Sequence, residues 1–353
     1  MSMQPPAAGQ PAPTEAELLQ AEINRFDSLQ SDLLLTRVNS EVEGIDAAVN
    51  ALTTAIANIR SRGYVFKNFL ERKADTLATQ WRDLRPQVQA GIQQQSQTLR
   101  WDADQVQASF NRGQRATAAL SALESKVRAT QSNLEGMYSA LKGNIQQTQQ
   151  QLDEIAWTLQ QAEQASFGFL PTEGAVEAVS ANWSKPGNKD GVGGVLYLTD
   201  QRLIFEQKEE IATKKMLFIA TAKQKIQALG WEVPVANIAS AVGSHRGFMN
   251  KDDFLTVTTA DAGGLRTPEG ASYHTADVHL KGKTGEAWQG FIGHVKSGDI
   301  VKERTVPVDE KAAATVASAP TKCGTCGATI TQTILRGQTE ITCQYCGSVV
   351  RLA

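Results

Sequence analysis

The chain has 353 residues, with 35 Lys and Arg residues against 37 Asp and Glu residues, and it contains four cysteines. At about 150 residues per domain, this length predicts two or three folded units. The formal net charge of −2 excludes the strongly basic character of most nucleic-acid-binding proteins, so nucleic acid is not an expected partner. The sequence has neither an apolar run of about 18 residues nor a basic-then-apolar leader, which predicts a cytoplasmic protein.

Residues 1–13 contain four prolines and are expected to be disordered. Residues 14–166 are instead rich in Gln, Ala and Leu, and their apolar positions recur at alternating steps of three and four. This heptad spacing is typical of coiled coils. Breaks at Gly63 and Gly113 divide the region into helices of nearly equal length, predicted at 14–61, 64–112 and 115–165. Equal lengths favour an elongated antiparallel three-helix coiled-coil bundle.

Two further details concern these helices. In the third predicted helix, the apolar positions run through Leu134, Met137 and Leu141 and then take an extra step of four to Ile145. This extra step predicts a stutter in the heptad spacing there. Pro86 lies inside the second helix and is expected to kink it.

The function of such a bundle is open between two interpretations. One is a spacer or an oligomerisation stalk. The other is a resemblance to the BAR-domain plan, in which three long, kinked helices dimerise into a module that shapes membranes; this resemblance implies a homodimer. The charge of residues 14–165, 15 basic against 18 acidic residues, disfavours a purely electrostatic membrane role.

Residues 168–306 contain short alternating runs rich in Gly, Val and Thr, as in β-rich domains. The segment GGVLYLTDQRLIFEQ, Gly193 to Gln207, predicts a hairpin with its turn at residues 199–201. This hairpin resembles the GRAM branch of the pleckstrin-homology-like (PH-like) fold. Its amino-acid sequence is also similar to that of uncharacterised bacterial proteins, so a bacterial source is expected. The resemblance implies a β-barrel with strands near 233–238, 253–259 and 276–280 and a capping helix from Glu286. Between the hairpin and the strand expected near 233, we expect an inserted segment with a strand over 211–222 and a short helix over 221–229.

The same resemblance implies a domain that binds a lipid or a protein. A phosphate-reading site needs converging cations, and the candidates are Lys214, Lys215, Lys223, Lys225, Arg246, Lys251, Lys281 and Lys283, with Phe248 as an apolar neighbour. Alternatively, these are ordinary solvated charges, because the region holds 16 basic and 16 acidic residues. The four histidines form no recognisable constellation and are interpreted as structural or surface residues.

The last segment, residues 321–353, follows a small-residue linker at 307–320. It holds two C-x-x-C-G motifs, formed by Cys323 with Cys326 and by Cys343 with Cys346. This spacing predicts one structural Zn²⁺ held by four thiolates, in a fold that resembles a zinc ribbon. A hairpin over 330–342 and a third strand from Ser348 are expected. The alternative is a redox dithiol pair. Four protein ligands leave no open position for catalysis.

Taken together, these patterns predict a multidomain α + β protein that is not an enzyme, since no nucleophile with a base is visible. The preferred hypothesis is a membrane-associated scaffold. It forms a homodimer through the helices, and its PH-like domain binds an anionic membrane lipid on the inner face of the cell membrane. The second hypothesis is a soluble adaptor that binds an unidentified protein. A weaker third hypothesis is nucleic-acid binding through the ribbon.

Overall fold

A computed structural model describes residues 13–170, 172–184, 191–216, 219–247, 249, 251–260, 264–307, 322–330 and 340–351, with the backbone alone over 211–224. The chain divides into two compact units. The first comprises Met1–Thr54 and Arg72–Gln150, and the second comprises Ala55–Glu71 and Gln151–Ala353, to the extent that they are described. Each unit is treated by itself below. Residues 1–12 of the segment predicted to be disordered, 1–13, and residues 308–320 of the predicted linker, 307–320, lie outside the described residues.

The N-terminal half of the chain consists of long helices, as the heptad spacing predicts. They are α1 Glu15–Ser28, α2 Gln30–Leu33, α3 Thr36–Ser61, α4 Leu70–Asn111, which continues through Pro86, and α5 Thr117–Glu163. The apolar heptad positions of α3 are all buried: Val42, Ile45, Val49, Leu52, Ile56 and Ile59. The α1 N-terminus is a capping box, in which Thr14 and Glu17 bind each other's backbone N–H groups.

The first predicted helix, 14–61, is not continuous. It breaks near Leu29 and again at Leu35, whose φ of 52° is left-handed. In an uninterrupted helix, residues two apart point to opposite sides. The break allows Leu33 and Leu35 to be buried together, at 3% and 0% exposure. Burial of two leucines therefore outweighs the local strain of the left-handed residue.

The second predicted helix starts six residues later than expected, at Leu70. The preceding segment, residues 64–69, is not helical, and it buries Tyr64 and Phe66. Arg60 holds this segment by donating to the carbonyl oxygens of Tyr64, Phe66 and Lys67 at 2.7–3.0 Å. A guanidinium that satisfies three backbone acceptors replaces the helical hydrogen bonds that these residues would otherwise make.

The stutter on α5 lies earlier than the sequence predicts. Met137 is 40% exposed, whereas Tyr138 is buried. The buried positions therefore step by four from Leu134 to Tyr138 and resume their alternation through Leu141 and Ile145. The Tyr138 hydroxyl donates to Glu41 at 3.1 Å, which gives this large side chain a polar partner at the edge of the core.

The second unit contains a curled antiparallel sheet. Its strands are β1 Ala175–Ser184, β2 Val192–Thr199, β3 Arg202–Met216, β4 Ile219–Pro234, β5 Ile238–Arg246, β6 Asp252–Thr259, β7 Leu265–Arg266, β8 Ser272–Tyr273 and β9 Thr275–Lys281. Their order is β5-β6-β9-β1-β2-β3-β4-β7-β8. The predicted hairpin is present as β2 and β3. Helices α6 Gly285–Lys296 and α7 Asp299–Lys302 follow the sheet.

Two expectations for this region are wrong. The predicted helix over 221–229 is part of strand β4, which pairs with β3 from Met216 opposite Ile219 back to Arg202 opposite Pro234. The ladder of backbone hydrogen bonds overrides the helical propensity of the Ala, Lys, Gln and Leu residues there. The strand expected over 233–238 is interrupted by a 3₁₀ turn, Val235–Asn237.

The end of α5 packs on one face of the sheet within the second unit. Ala178, Val195, Tyr197 and Ile204 form a buried cluster on β1–β3, and Trp157, Ala165 and Phe167 pack against it. Trp183 is five residues from Ala178 on β1 and therefore faces the other side of the sheet, where its ring centroid lies 6.2 Å from that of Trp231; both side chains are fully buried. The sheet therefore has its core on one side and a helix end on the other.

Candidate metal centre and cationic residues

The four cysteines of the tail lie together. The Sγ atoms of Cys323 and Cys346 are 3.8 Å apart, those of Cys326 and Cys343 are 3.7 Å apart, and all four lie within 4.8 Å of one another. A tetrahedral ion with metal–sulfur bonds of about 2.3 Å requires sulfur–sulfur distances of about 3.8 Å. The donor set and its dimensions fit a four-thiolate metal site.

The two motifs have the same backbone structure. The N–H of Gly327 donates to the carbonyl oxygen of Cys323 at 2.8 Å, and the N–H of Gly347 donates to that of Cys343 at 2.8 Å. Both glycines have a positive φ, 71° and 69°, which a residue with a Cβ rarely adopts. The glycine after each second cysteine therefore closes the turn that aims the two sulfurs of each motif at one point.

Ser348 supports the thiolate form of two of these cysteines. Its hydroxyl lies 3.5 Å from the sulfur of Cys323 and 2.9 Å from that of Cys346. This hydroxyl, followed by the N–H groups of Cys326 and Thr325, lowers the pKa of Cys323 to about 5. Ser348 also lowers the pKa of Cys346, through its side chain and its N–H. The thiolate is the form that binds metals.

The tail has little apolar core. Strand β10 Glu340–Thr342 pairs with β11 Val349–Arg351, and the buried cluster consists of Cys323, Ile341, Cys343 and Val350, with Ile330 packed against it. The third strand expected from Ser348 is thus present as β11. The hairpin expected over 330–342 includes residues 331–339, which lie outside the described residues. The few buried side chains among the described tail residues would give little stability by themselves, and metal ligation is the kind of interaction that could add to it.

Four of the predicted lipid-binding lysines lie on an arm formed by the ends of β3 and β4. Strand β2 pairs with β3 only as far as Gln207, and beyond this point β3 and β4 continue as a two-stranded ribbon to Met216 and Ile219. The side chains of Lys214, Lys215 and Lys223 lie outside the described residues. Lys225 is exposed, and its Nζ lies 3.9 Å from a Glu210 oxygen.

The other candidates lie on or beside other strands of the second unit. Arg246 binds Asp277 and, at 2.8 Å, Thr256, and it lies over the Phe254 ring at 4.7 Å. Lys251 and Lys281 are exposed and make no ion pair among the described residues. Phe248 lies outside the described residues, but its neighbour Met249 is 73% exposed.

Lys283 belongs to a partly buried group of charges around the buried Glu177 within the second unit. Its Nζ lies 2.6 Å from Glu154 and 3.9 Å from Glu177, which Lys67 also approaches, at 3.8 Å. Burial raises the pKa of Glu177, and the two lysines act against this rise. Lys283 is therefore engaged by acidic side chains of the protein rather than presented to a ligand.

The sequence did not reveal the partners of the histidines. His245 lies between Asp253 and Glu286, His279 stacks on Phe254 with centroids 4.8 Å apart, and His294 contacts Glu303 at 2.9 Å. His245 and Asp253 are directly opposite each other in the pairing of β5 with β6. A correct prediction of this strand register from the sequence would therefore have brought the two residues together. The contact with α6 depends on how the helix packs.

The sequence matches no protein-family model and no curated protein. Among solved structures, it is similar to the PDZ-RhoGEF DH/PH domains in complex with activated RhoA (10% identity, 81% of this chain and 95% of that chain, TM-score 0.27). It is also similar to the Slm1-PH domain with inositol-4-phosphate (10%, 35% and 95%, TM-score 0.20). A third match is a C-terminal domain of an unknown protein from Leishmania infantum (14%, 35% and 84%, TM-score 0.20).

No helix among the described residues is both long enough and apolar enough to cross a membrane.

Proposed function

We propose that this chain is a non-enzymatic, membrane-associated scaffold. In this proposal, the long helices self-associate as a dimer, the sheet with its following helix is a PH-like domain that binds an anionic lipid, and Zn²⁺ holds the tail as a ribbon. The observation that carries the lipid-binding part is the arm formed by β3 and β4. Light scattering on the purified protein measures the dimer.

The arm has the charge that an anionic surface selects. Between residues 211 and 229 there are four lysines, Lys214, Lys215, Lys223 and Lys225, and no acidic residue. Each lysine near an anionic membrane surface contributes about 1 kcal/mol at physiological ionic strength. The whole region 168–306 holds 16 basic and 16 acidic residues, so the part outside the arm, with 12 basic and 16 acidic residues, is net acidic. The local excess on the arm, and not the net charge, would direct binding.

Zinc is the metal that the tail's donor set favours. Soft thiolates in a tetrahedral arrangement select Zn²⁺ or iron–sulfur clusters, and the four sulfurs have the separations of a single-ion site. Four ligands from the protein close the coordination shell, which supports a structural role over a catalytic one.

Vesicle co-sedimentation tests the lipid-binding proposal. The full chain should pellet with vesicles containing phosphatidylserine at low salt, and replacing the four arm lysines with alanine should weaken binding at least a hundredfold, given about 1 kcal/mol per lysine. The control replaces four exposed arginines of the long helices, Arg72, Arg82, Arg100 and Arg128, and should retain most of the binding. If the unaltered protein does not pellet, the soluble protein-binding adaptor becomes the better interpretation.

A further inference from the structure

Within the second unit, the connector between α3 and α4 pairs with the chain segment that follows α7. The N–H of Asn68 donates to the carbonyl oxygen of Glu303 at 3.0 Å, and the N–H of Thr305 donates to that of Val65 at 2.7 Å. The Asn68 side chain also donates to the carbonyl oxygen of Lys302 at 3.0 Å, across 234 residues of sequence. We call this pairing of residues 65–68 with residues 302–305 the clasp.

Arg304 connects the clasp to the sheet. Its guanidinium lies over the Phe66 ring, 5.1 Å from the centroid, and donates to Asp200 in the β2–β3 turn at 2.8 Å. The side chains of Arg304 and Asp200 are only 8% and 6% exposed. Loss of one partner from such a buried pair leaves an uncompensated charge, which is far more costly than the loss of an exposed ion pair. One guanidinium therefore ties the connector and the sheet together.

Phe66 contacts the sheet at a second point. It is fully buried, and a Cβ on Gly174, the residue before β1, would lie 2.8 Å from its ring. The N–H of Gly174 donates to the Asp200 carboxylate at 2.9 Å, and the N–H of Asp200 donates to the Gly174 carbonyl oxygen at 3.1 Å. Nearby, Lys67 and Thr172 have left-handed φ values of 54° and 68°. Such conformations persist in non-glycine residues only where the surrounding contacts hold them.

We propose that the clasp is a conformational coupling device, through which the α3–α4 connector, the start of β1 and the β2–β3 turn open and close as one cooperative element. Arg304 takes its packing from Phe66 and its counter-charge from Asp200, which lie in separate segments. A disturbance of the connector is therefore transmitted to the sheet and to residues 302–305, from which the chain continues toward the cysteines. This coupling requires neither a lipid nor a metal.

Hydrogen exchange of the full chain, followed by mass spectrometry, tests the coupling in four segments: 64–69, 172–176, 199–202 and 302–306. Phe66→Leu removes the aromatic face under the guanidinium but keeps an apolar side chain. We expect it to speed exchange in all four segments by a similar factor, at least fivefold. The matched control is Phe110→Leu on α4, since Phe110 is also buried and packs edge-to-face on Phe26 in the first unit. It should leave the four segments unchanged.

A milder variant is available if Phe66→Leu does not fold. Asn68 is exposed, and Asn68→Ala removes the side-chain hydrogen bond to Lys302. It should fold normally and speed exchange about twofold in 302–306 and in 199–202 together.

Two results would overturn the proposal. In one, Phe66→Leu or Asn68→Ala speeds exchange only in the segment that contains the substitution or its direct partner, while 199–202 keeps the rate of the unaltered protein. Each segment would then open independently. In the other, Phe110→Leu speeds exchange in the four segments as much as Phe66→Leu does. The effect would then come from global stability and not from the clasp.

Discussion

At the scale of single residues, buried polar groups decide how the end of α5 meets the sheet. Glu206 is fully buried. It accepts hydrogen bonds from the Ser166 N–H at 2.6 Å, from the Tyr197 hydroxyl at 2.8 Å and from the Gln227 side chain at 2.8 Å. Burial acts to raise the pKa of Glu206, but these hydrogen bonds together lower it. A carboxylate that accepts several hydrogen bonds is stabilised in its charged form.

Glu206 predicts a pH dependence of stability. Because its pKa is lowered in the folded state, its contribution is present above the usual glutamate pKa and is lost as the pH falls through the folded value. Glu206→Ala should reduce the free energy of unfolding at pH 7 by about 1–3 kcal/mol, since three donors lose their acceptor. Urea unfolding at pH 7 and pH 3 measures this.

The Glu206→Ala deficit should shrink as the pH falls through the lowered folded-state pKa of Glu206, because protonation removes the charge that the three donors stabilise. An equal deficit at both pH values would mean that the charge of Glu206 plays no part. Exposed Glu43 on α3 provides the control, because Glu43→Ala should change little at either pH.

At the scale of elements, α6 meets the sheet through two glycines. A Cβ on Gly285 would overlap the backbone of Phe254 and Gly243, and a Cβ on Gly243 would overlap the backbone of Gly285. The contact therefore requires both residues to lack a side chain. By contrast, Gly290 on the same helix has open space around it.

These two positions on α6 predict opposite effects of the same substitution. Gly290→Ala should stabilise the protein by up to about 1 kcal/mol, because alanine favours the helix. Gly285→Ala should destabilise it by more than 1 kcal/mol, because the helix must move off β5 and β6. Chemical denaturation of the two variants measures this, and a Gly285→Ala protein as stable as the Gly290→Ala protein would contradict the described contact.

At the scale of the whole molecule, the metal should stabilise the tail alone. Cys323→Ser or a strong chelator should release the proposed zinc and unfold the tail, because the buried cluster described there consists of two cysteines and a few apolar side chains. The helices and the large sheet have their own buried cores, so most of the far-UV circular dichroism should remain. Thr325→Ser, at an exposed position within the first motif, is the control that should keep the metal. Metal analysis that finds no zinc in the intact protein would contradict the proposed ion.

The features that could be predicted from the sequence are those with a local cause. Heptad spacing predicted the buried side of α3, because a helix repeats every 3.6 residues wherever it lies. The apolar positions Val195 and Tyr197 before the turn, and Leu203 and Phe205 after it, predicted the β2–β3 hairpin. The spacing of the cysteines predicted that their sulfurs would meet. Each of these signals is complete within a few residues of chain.

Where the sequence-based predictions were wrong, distant partners outweighed local preference. Strand β4 replaces a predicted helix because β3 supplies a hydrogen-bonding partner along its whole length. Residues 64–69 are not helical because Arg60 satisfies their carbonyl groups.

By itself, the sequence determined the long helices, the hairpin at the centre of the sheet and the four-cysteine motif, since periodicity and short spacing act within one segment. Only the tertiary structure decided that His245, Asp253 and Glu286 meet, because two strands and a helix must fold together before their side chains come within reach. It also decided that Lys283 is held by Glu154 while the arm of β3 and β4 extends beyond β2. Which charges are paired within the protein and which are left for a ligand depends on the packing of distant elements, and that information is not contained in any single segment.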